Sequence, residues 1–119
     1  MSNFETHIKK YGLFKKDAKN KTISHMTRID SYFNAAFQLI EAYSAKYDLH
    51  INKHQLVRTK LLEFNIFKED IEIIWRQFQL LENQIRPGQQ YGGKINGEQL
   101  KRAKKAFDQI EKASENILK

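Results

Sequence analysis

The densest group of chemically capable side chains starts at Arg86 and runs through the loop PGQQYGGKIN, residues 87–96. A guanidinium at the end of a helix can grip a phosphate with its planar fork. Tyr91, shortly beyond Pro87, can stack on a base or donate its hydroxyl, and Gln89, Gln90 and Lys94 offer adaptable hydrogen bonding around it. Each of these residues also has a packing role open to it. Arg86 can cap the last carbonyls of its helix or pair with Glu82 one turn back, and Tyr91 can close the end of a helical bundle. Past the loop stand Lys101, Arg102, Lys104 and Lys105, while Lys9, Lys10, Lys15, Lys16, Lys19 and Lys21 form a second basic set near the N-terminus. Either set can meet phosphates, and either can be a solvated helix face.

Several chemistries are excluded by residue type or spacing. There is no cysteine, which removes disulfides, thiol nucleophiles and cysteine-ligated metals. The glycines match neither GxGxxG nor the Walker pattern, because Gly93-Lys94-Ile95 lacks the hydroxyl residue and no strand precedes it. His50 and His54 stand four apart, but Asn52 is placed to start a helix between them and no HEXXH arrangement exists. His7 and His25 add no ligand set. No Ser-His-Asp order can be defended, so no metal, no cofactor and no catalytic residue is assigned.

Ile29, Phe33, Ala36, Phe37, Ile40, Tyr43 and Tyr47 recur at steps of three and four, which predicts a helix over about 28–47 with Thr27 or Ser24 as its N-cap. Asn52 to Gln55 resembles a capping box, and Leu56, Val57, Leu61, Leu62 and Phe64 follow at helical spacing, predicting a second helix over about 53–64. The stripe Ile71, Ile74, Trp75, Phe78, Leu81 and Ile85 predicts a third over about 68–85, stopped by Pro87. Leu100, Ala103, Phe107, Ile110, Ser114 and Ile117 mark a last helix ending near residue 118. Residues 3–19 carry Phe4, Ile8, Tyr11 and Phe14 at workable spacing, but Gly12 and the surrounding charge leave both a short docked helix and a mobile arm open.

No segment alternates with period two, so the expected fold is all-α: an antiparallel four-helix bundle over residues 21–119 with a basic N-terminal segment, residues 1–20, as an extra helix or arm. The 119 residues fit one domain, and with 40% hydrophobic and 12% aromatic residues they can build its core. The net charge of +7 favours anionic partners without identifying one. No apolar run approaches the roughly 20 residues of a membrane span, and the first residues show no signal-peptide pattern, so no membrane role and a cytoplasmic location are expected.

The order of these parts resembles the HEPN family of helical nucleotide-binding and ribonuclease-like domains. The resemblance spans about 28–118 and rests on the aromatic helix SYFNAAFQLIEAYSAKY (31–47), the His54-Gln55-Leu56-Val57 start of the second helix, Arg86 closing the third, and GEQLKRAKKAFDQIEK (97–112) in the fourth. In catalytically active relatives an Arg is followed four to six residues later by a His, and the pair acts on RNA at a dimer interface. Here Tyr91 takes the place of that His, and no histidine follows position 54. No imidazole is then placed beside Arg86 to move a proton near neutral pH. Branches of the family with Arg-x4-Tyr imply binding rather than cleavage.

The leading expectation is therefore a HEPN-like bundle that binds a nucleotide, RNA or other anionic ligand. Arg86 would grip phosphate, Tyr91 would stack, and Gln90 would adapt its hydrogen bonds. Lys94, Lys101, Arg102 and Lys105 would supply the positive field, with His54 nearby if the second and fourth helices flank the loop. A small bundle rich in aromatics favours a homodimer. The resemblance adds a nucleotidyltransferase-like partner in a toxin–antitoxin arrangement. A non-enzymatic basic module that binds DNA or an acidic protein is the alternative, and a ribonuclease using His54 is the third reading.

Overall fold

The computed structural model describes residues 4–46, 59, 71–82 and 97–115. Among the described residues every regular element is a helix. These are α1 (Phe4–Lys19), α2 (His25–Ala45), α3 (Ile71–Leu80) and α4 (Gly97–Glu115), packed as a helical bundle in agreement with the all-α expectation.

The longest helix begins where its cap puts it. Ser24 lies outside helical geometry at φ −59° and ψ 152°, and its Oγ accepts the Thr27 backbone N–H at 3.3 Å. That bond satisfies one of the donors that an α-helix leaves unpaired in its first turn. Helix α2 consequently starts at His25, just over a turn before the apolar stripe does, and ends at Ala45. Ile29, Tyr32, Phe33, Ala36, Leu39, Ile40 and Tyr43 lie buried along it.

The N-terminal segment is a docked helix of 16 residues. Phe4, Ile8, Tyr11 and Phe14 pack against the core at the spacing read from the sequence, and Gly12 lies on the exposed side with no atom near the position of a Cβ. The chain then reverses in residues 20–24, where Asn20 Oδ1 accepts both the Thr22 N–H at 3.0 Å and its hydroxyl at 2.7 Å. A side chain bonded two residues ahead in this way stabilises a tight turn. The reversal lays α1 antiparallel on α2. Phe4 meets Tyr43 at a ring separation of 5.8 Å, His7 meets Gln38, and the Arg28 Nε–H donates to the Ala18 carbonyl at 2.7 Å.

Helices α3 and α4 complete the core. Phe78 of α3 stacks on Phe33 at 5.1 Å and tilts against Phe37 at 6.2 Å, with Ile74 and Leu81 buried beside it. Phe107 of α4, fully buried, lies between Tyr32 at 5.3 Å and Tyr11 at 6.2 Å. Full burial of a large apolar side chain contributes about 1.5–3 kcal/mol before chain entropy is charged against it, so these aromatic contacts are the main tie between the helices. At the edge, the Tyr11 hydroxyl donates to the Glu111 carboxylate and Lys15 Nζ bonds the same oxygen at 2.6 Å, linking α1 to α4. The expected helix over 53–64 and the loop 87–96 lie outside the described residues, apart from the exposed, helical Thr59.

A candidate anion-binding face on helix α4

Helix α4 separates its residues sharply by face. Ala103, Ala106, Phe107, Ile110, Ala113 and Ser114 point into the bundle, and Lys101, Arg102, Lys104, Lys105 and Lys112 remain exposed. Residues three and four apart stack on one side of a helix, so Lys101, Lys105 and Lys112 fall along one outward strip. Core packing of the inner face therefore fixes the direction in which the cations project.

The cations differ in how far they are neutralised. Lys104 Nζ bonds Asp108 Oδ2 at 2.7 Å, one turn on. That hydrogen bond, reinforced by the charge of Asp108, raises the Lys104 pKa above its ordinary value. Arg102 Nη1 donates to Gln99 Oε1 at 3.2 Å, a neutral partner, and the guanidinium has no ion-pair partner among the described residues. Lys101 and Lys105 have no ion-pair partner among the described residues. Tyr32 of α2, packed on Phe107, has its phenol pushed up by burial, with the cations of Lys104 and Arg28 acting in the opposite sense.

Two open recesses adjoin the strip. One, of about 460 Å³, runs along α4 and is lined by Lys101, Lys104, Lys105, Asp108, Gln109 and Lys112. The other, of about 280 Å³, lies between α3 and α4, with Gln77 and Leu80 on one wall and Arg102, Lys105, Ala106 and Gln109 on the other. Lys105 and Gln109 line both, so the two recesses meet along one ridge. This arrangement can attract and orient phosphate oxygens.

One polar group lies inside the bundle. His7 Nδ1 lies 2.7 Å from Gln38 Oε1 and Nε2 3.7 Å from Glu41 Oε2, with His7 and Glu41 both buried between α1 and α2. Among the described residues there is no cluster of His, Asp and Glu able to hold a metal ion, and no helix is long and apolar enough to cross a membrane.

Of the residues singled out from the sequence, Lys101, Arg102 and Lys105 stand together on the exposed face of α4. His54, Arg86, Gln90, Tyr91 and Lys94 lie outside the described residues. Sequence reasoning missed Gln77, Gln109 and Lys112 as lining residues. The helical spacing Lys101, Lys105, Lys112 was a signal for the last of these; nothing in the sequence points from Gln77 to Gln109. No family model, no curated protein and no solved structure matches the chain.

Proposed function

We propose that the protein is a HEPN-like helical bundle that binds the phosphate groups of a nucleotide or RNA on the outer face of α4. The observation that carries this reading is the pair Lys101 and Lys105, exposed and without an ion-pair partner among the described residues, beside two recesses that share Lys105. Cations held on a rigid helix release condensed counterions when phosphates take their place, and this term dominates the affinity of basic proteins for polyanions. The reading is one of binding, because none of the described groups on this face is arranged as an acid–base pair around a reacting atom.

The test is a titration of a labelled short RNA at two salt concentrations, with Lys101→Ala and Lys105→Ala beside Lys9→Ala and Lys16→Ala on α1. The reading expects each α4 substitution to reduce the steepness of the salt dependence by about one counterion, while the α1 substitutions leave it nearly unchanged. Equal effects from both helices would show a diffuse polycation and sink the assignment of the face. The basic-module alternative makes that second forecast.

A further inference from the structure

We infer that the recess between α3 and α4 receives a single unstacked base, so that the face described above selects single-stranded nucleic acid over duplex. This inference rests on the phosphate-binding reading and adds to it the class of polymer. The recess holds about 280 Å³. That is just below the usual range of ligand pockets, about 300–1,000 Å³, and suits one planar ring system better than an extended cofactor.

Its lining matches a base in kind as well as size. Leu80, half-buried on the α3 wall, gives apolar surface, and the small side chain of Ala106, only 1% exposed, leaves the floor of the recess without a bulky group. Gln77 and Gln109 face the space from opposite helices. A carboxamide both donates and accepts, which is what the edge of any base requires, so two of them can hold a base without demanding one sequence. Arg102, with one nitrogen on Gln99, still has donors and a planar face to offer.

Lys105 links this recess to the longer one. A phosphodiester seated on Lys105 would let the backbone follow the lysine strip while the attached base turns inward between α3 and α4. A duplex cannot do the second part, because its bases are paired and stacked, and it meets only the lysines.

The experiment compares a labelled single-stranded oligoribonucleotide, the oligodeoxyribonucleotide of the same sequence, the RNA duplex made from the first, and polyglutamate. Each is titrated by fluorescence anisotropy against the full chain and against Gln77→Ala/Gln109→Ala, with helical circular dichroism confirming that the variant folds. Single strands should bind about tenfold more tightly than duplex, and the double variant should remove that preference by lowering single-strand affinity about tenfold more than duplex affinity. Ribose and deoxyribose strands binding alike would place the recognition on the base, whereas loss of binding by the deoxy strand would move it to the 2′-hydroxyl and overturn the base recess. Equal binding of strand and duplex, or an undiminished preference in the double variant, overturns the recess and leaves the phosphate reading standing. Binding of none of the nucleic acids, or polyglutamate binding as tightly as the strands, overturns both.

Discussion

Tyr32 of α2 and Phe107 of α4 lie with ring centroids 5.3 Å apart and planes inclined at 44°, both almost wholly buried. The geometry is intermediate between offset stacking and an edge-to-face contact, with the centroid separation inside the range of favourable aromatic pairs. It also fixes α4 in rotation, and with it the direction of the lysines on the far side. Phe107→Ala would remove the ring that Tyr32 and Tyr11 both contact and leave a cavity at the centre of the bundle. The expected loss is about 3–5 kcal/mol of unfolding free energy, read from urea denaturation followed by helical circular dichroism. A loss below about 1 kcal/mol would mean that the site collapses around the smaller residue and that the ring is not the central tie.

Gly12 predicts a change in the opposite direction. It sits within α1 on the exposed side, and a Cβ there would meet nothing within 4 Å. Glycine in a helix interior gives up more backbone freedom on folding than alanine does. Gly12→Ala should therefore stabilise the protein by about 0.5–1 kcal/mol. A shift of the urea midpoint to higher concentration with an unchanged slope would show it; a lower midpoint would mean that the glycine serves something other than the helix.

These two positions show how unevenly the sequence could be read. The stripe from Ile29 to Tyr43 has the 3.6-residue period of a half-buried helix, and the structure buries that face. The spacing of Phe4, Ile8, Tyr11 and Phe14 was equally visible, but whether the segment docked depended on α2 presenting Gln38 and Tyr43 to it across a turn, which periodicity within one segment does not encode. The start of α2 turned on Ser24 rather than Thr27, two hydroxyl residues with equivalent capping chemistry. The cations of α4 were legible as a cluster, and their one-sidedness follows from the helical period. The recess beside them was not, because joining Gln77 to Gln109 requires the register between two helices, a property of packing and not of either segment.

Ser114 carries a prediction that runs against the usual sense of a core substitution. It is fully buried on the inner face of α4, and its Oγ has no hydrogen-bond partner among the described residues; Ser44 on α2 is in the same condition. A hydroxyl taken out of water without a new partner is a net loss, and alanine is also the better helix former. Ser114→Ala should raise stability by about 1 kcal/mol, and Ser44→Ala should act in the same direction. Thermal unfolding of the single variants provides the measurement, and a lowered midpoint in both would show that the hydroxyls are bonded in solution.

The last prediction concerns alkaline pH. Tyr32 has its phenol raised above the ordinary value of 10.0, chiefly by burial, with Lys104 and Arg28 opposing the shift and Asp108 adding to it. A raised folded-state pKa means that the folded protein holds the proton more tightly than the unfolded chain. The contribution is therefore fully present below the unfolded value of 10.0 and disappears as pH rises through the folded one. Lys104, raised by its bond to Asp108, acts with the same sign above 10.5, but its side chain is 54% exposed, so solvent screening keeps its share small. Unfolding free energy should fall with pH from about 10 upward. In Tyr32→Phe, which keeps the ring against Phe107 and has no proton to lose, that fall should be shallower. Lys104→Gln should change the slope much less than Tyr32→Phe does. Denaturation at a series of alkaline pH values gives both slopes, and a Tyr32→Phe slope equal to that of the parent would show that the phenol ionises as readily in the folded protein as in the unfolded chain.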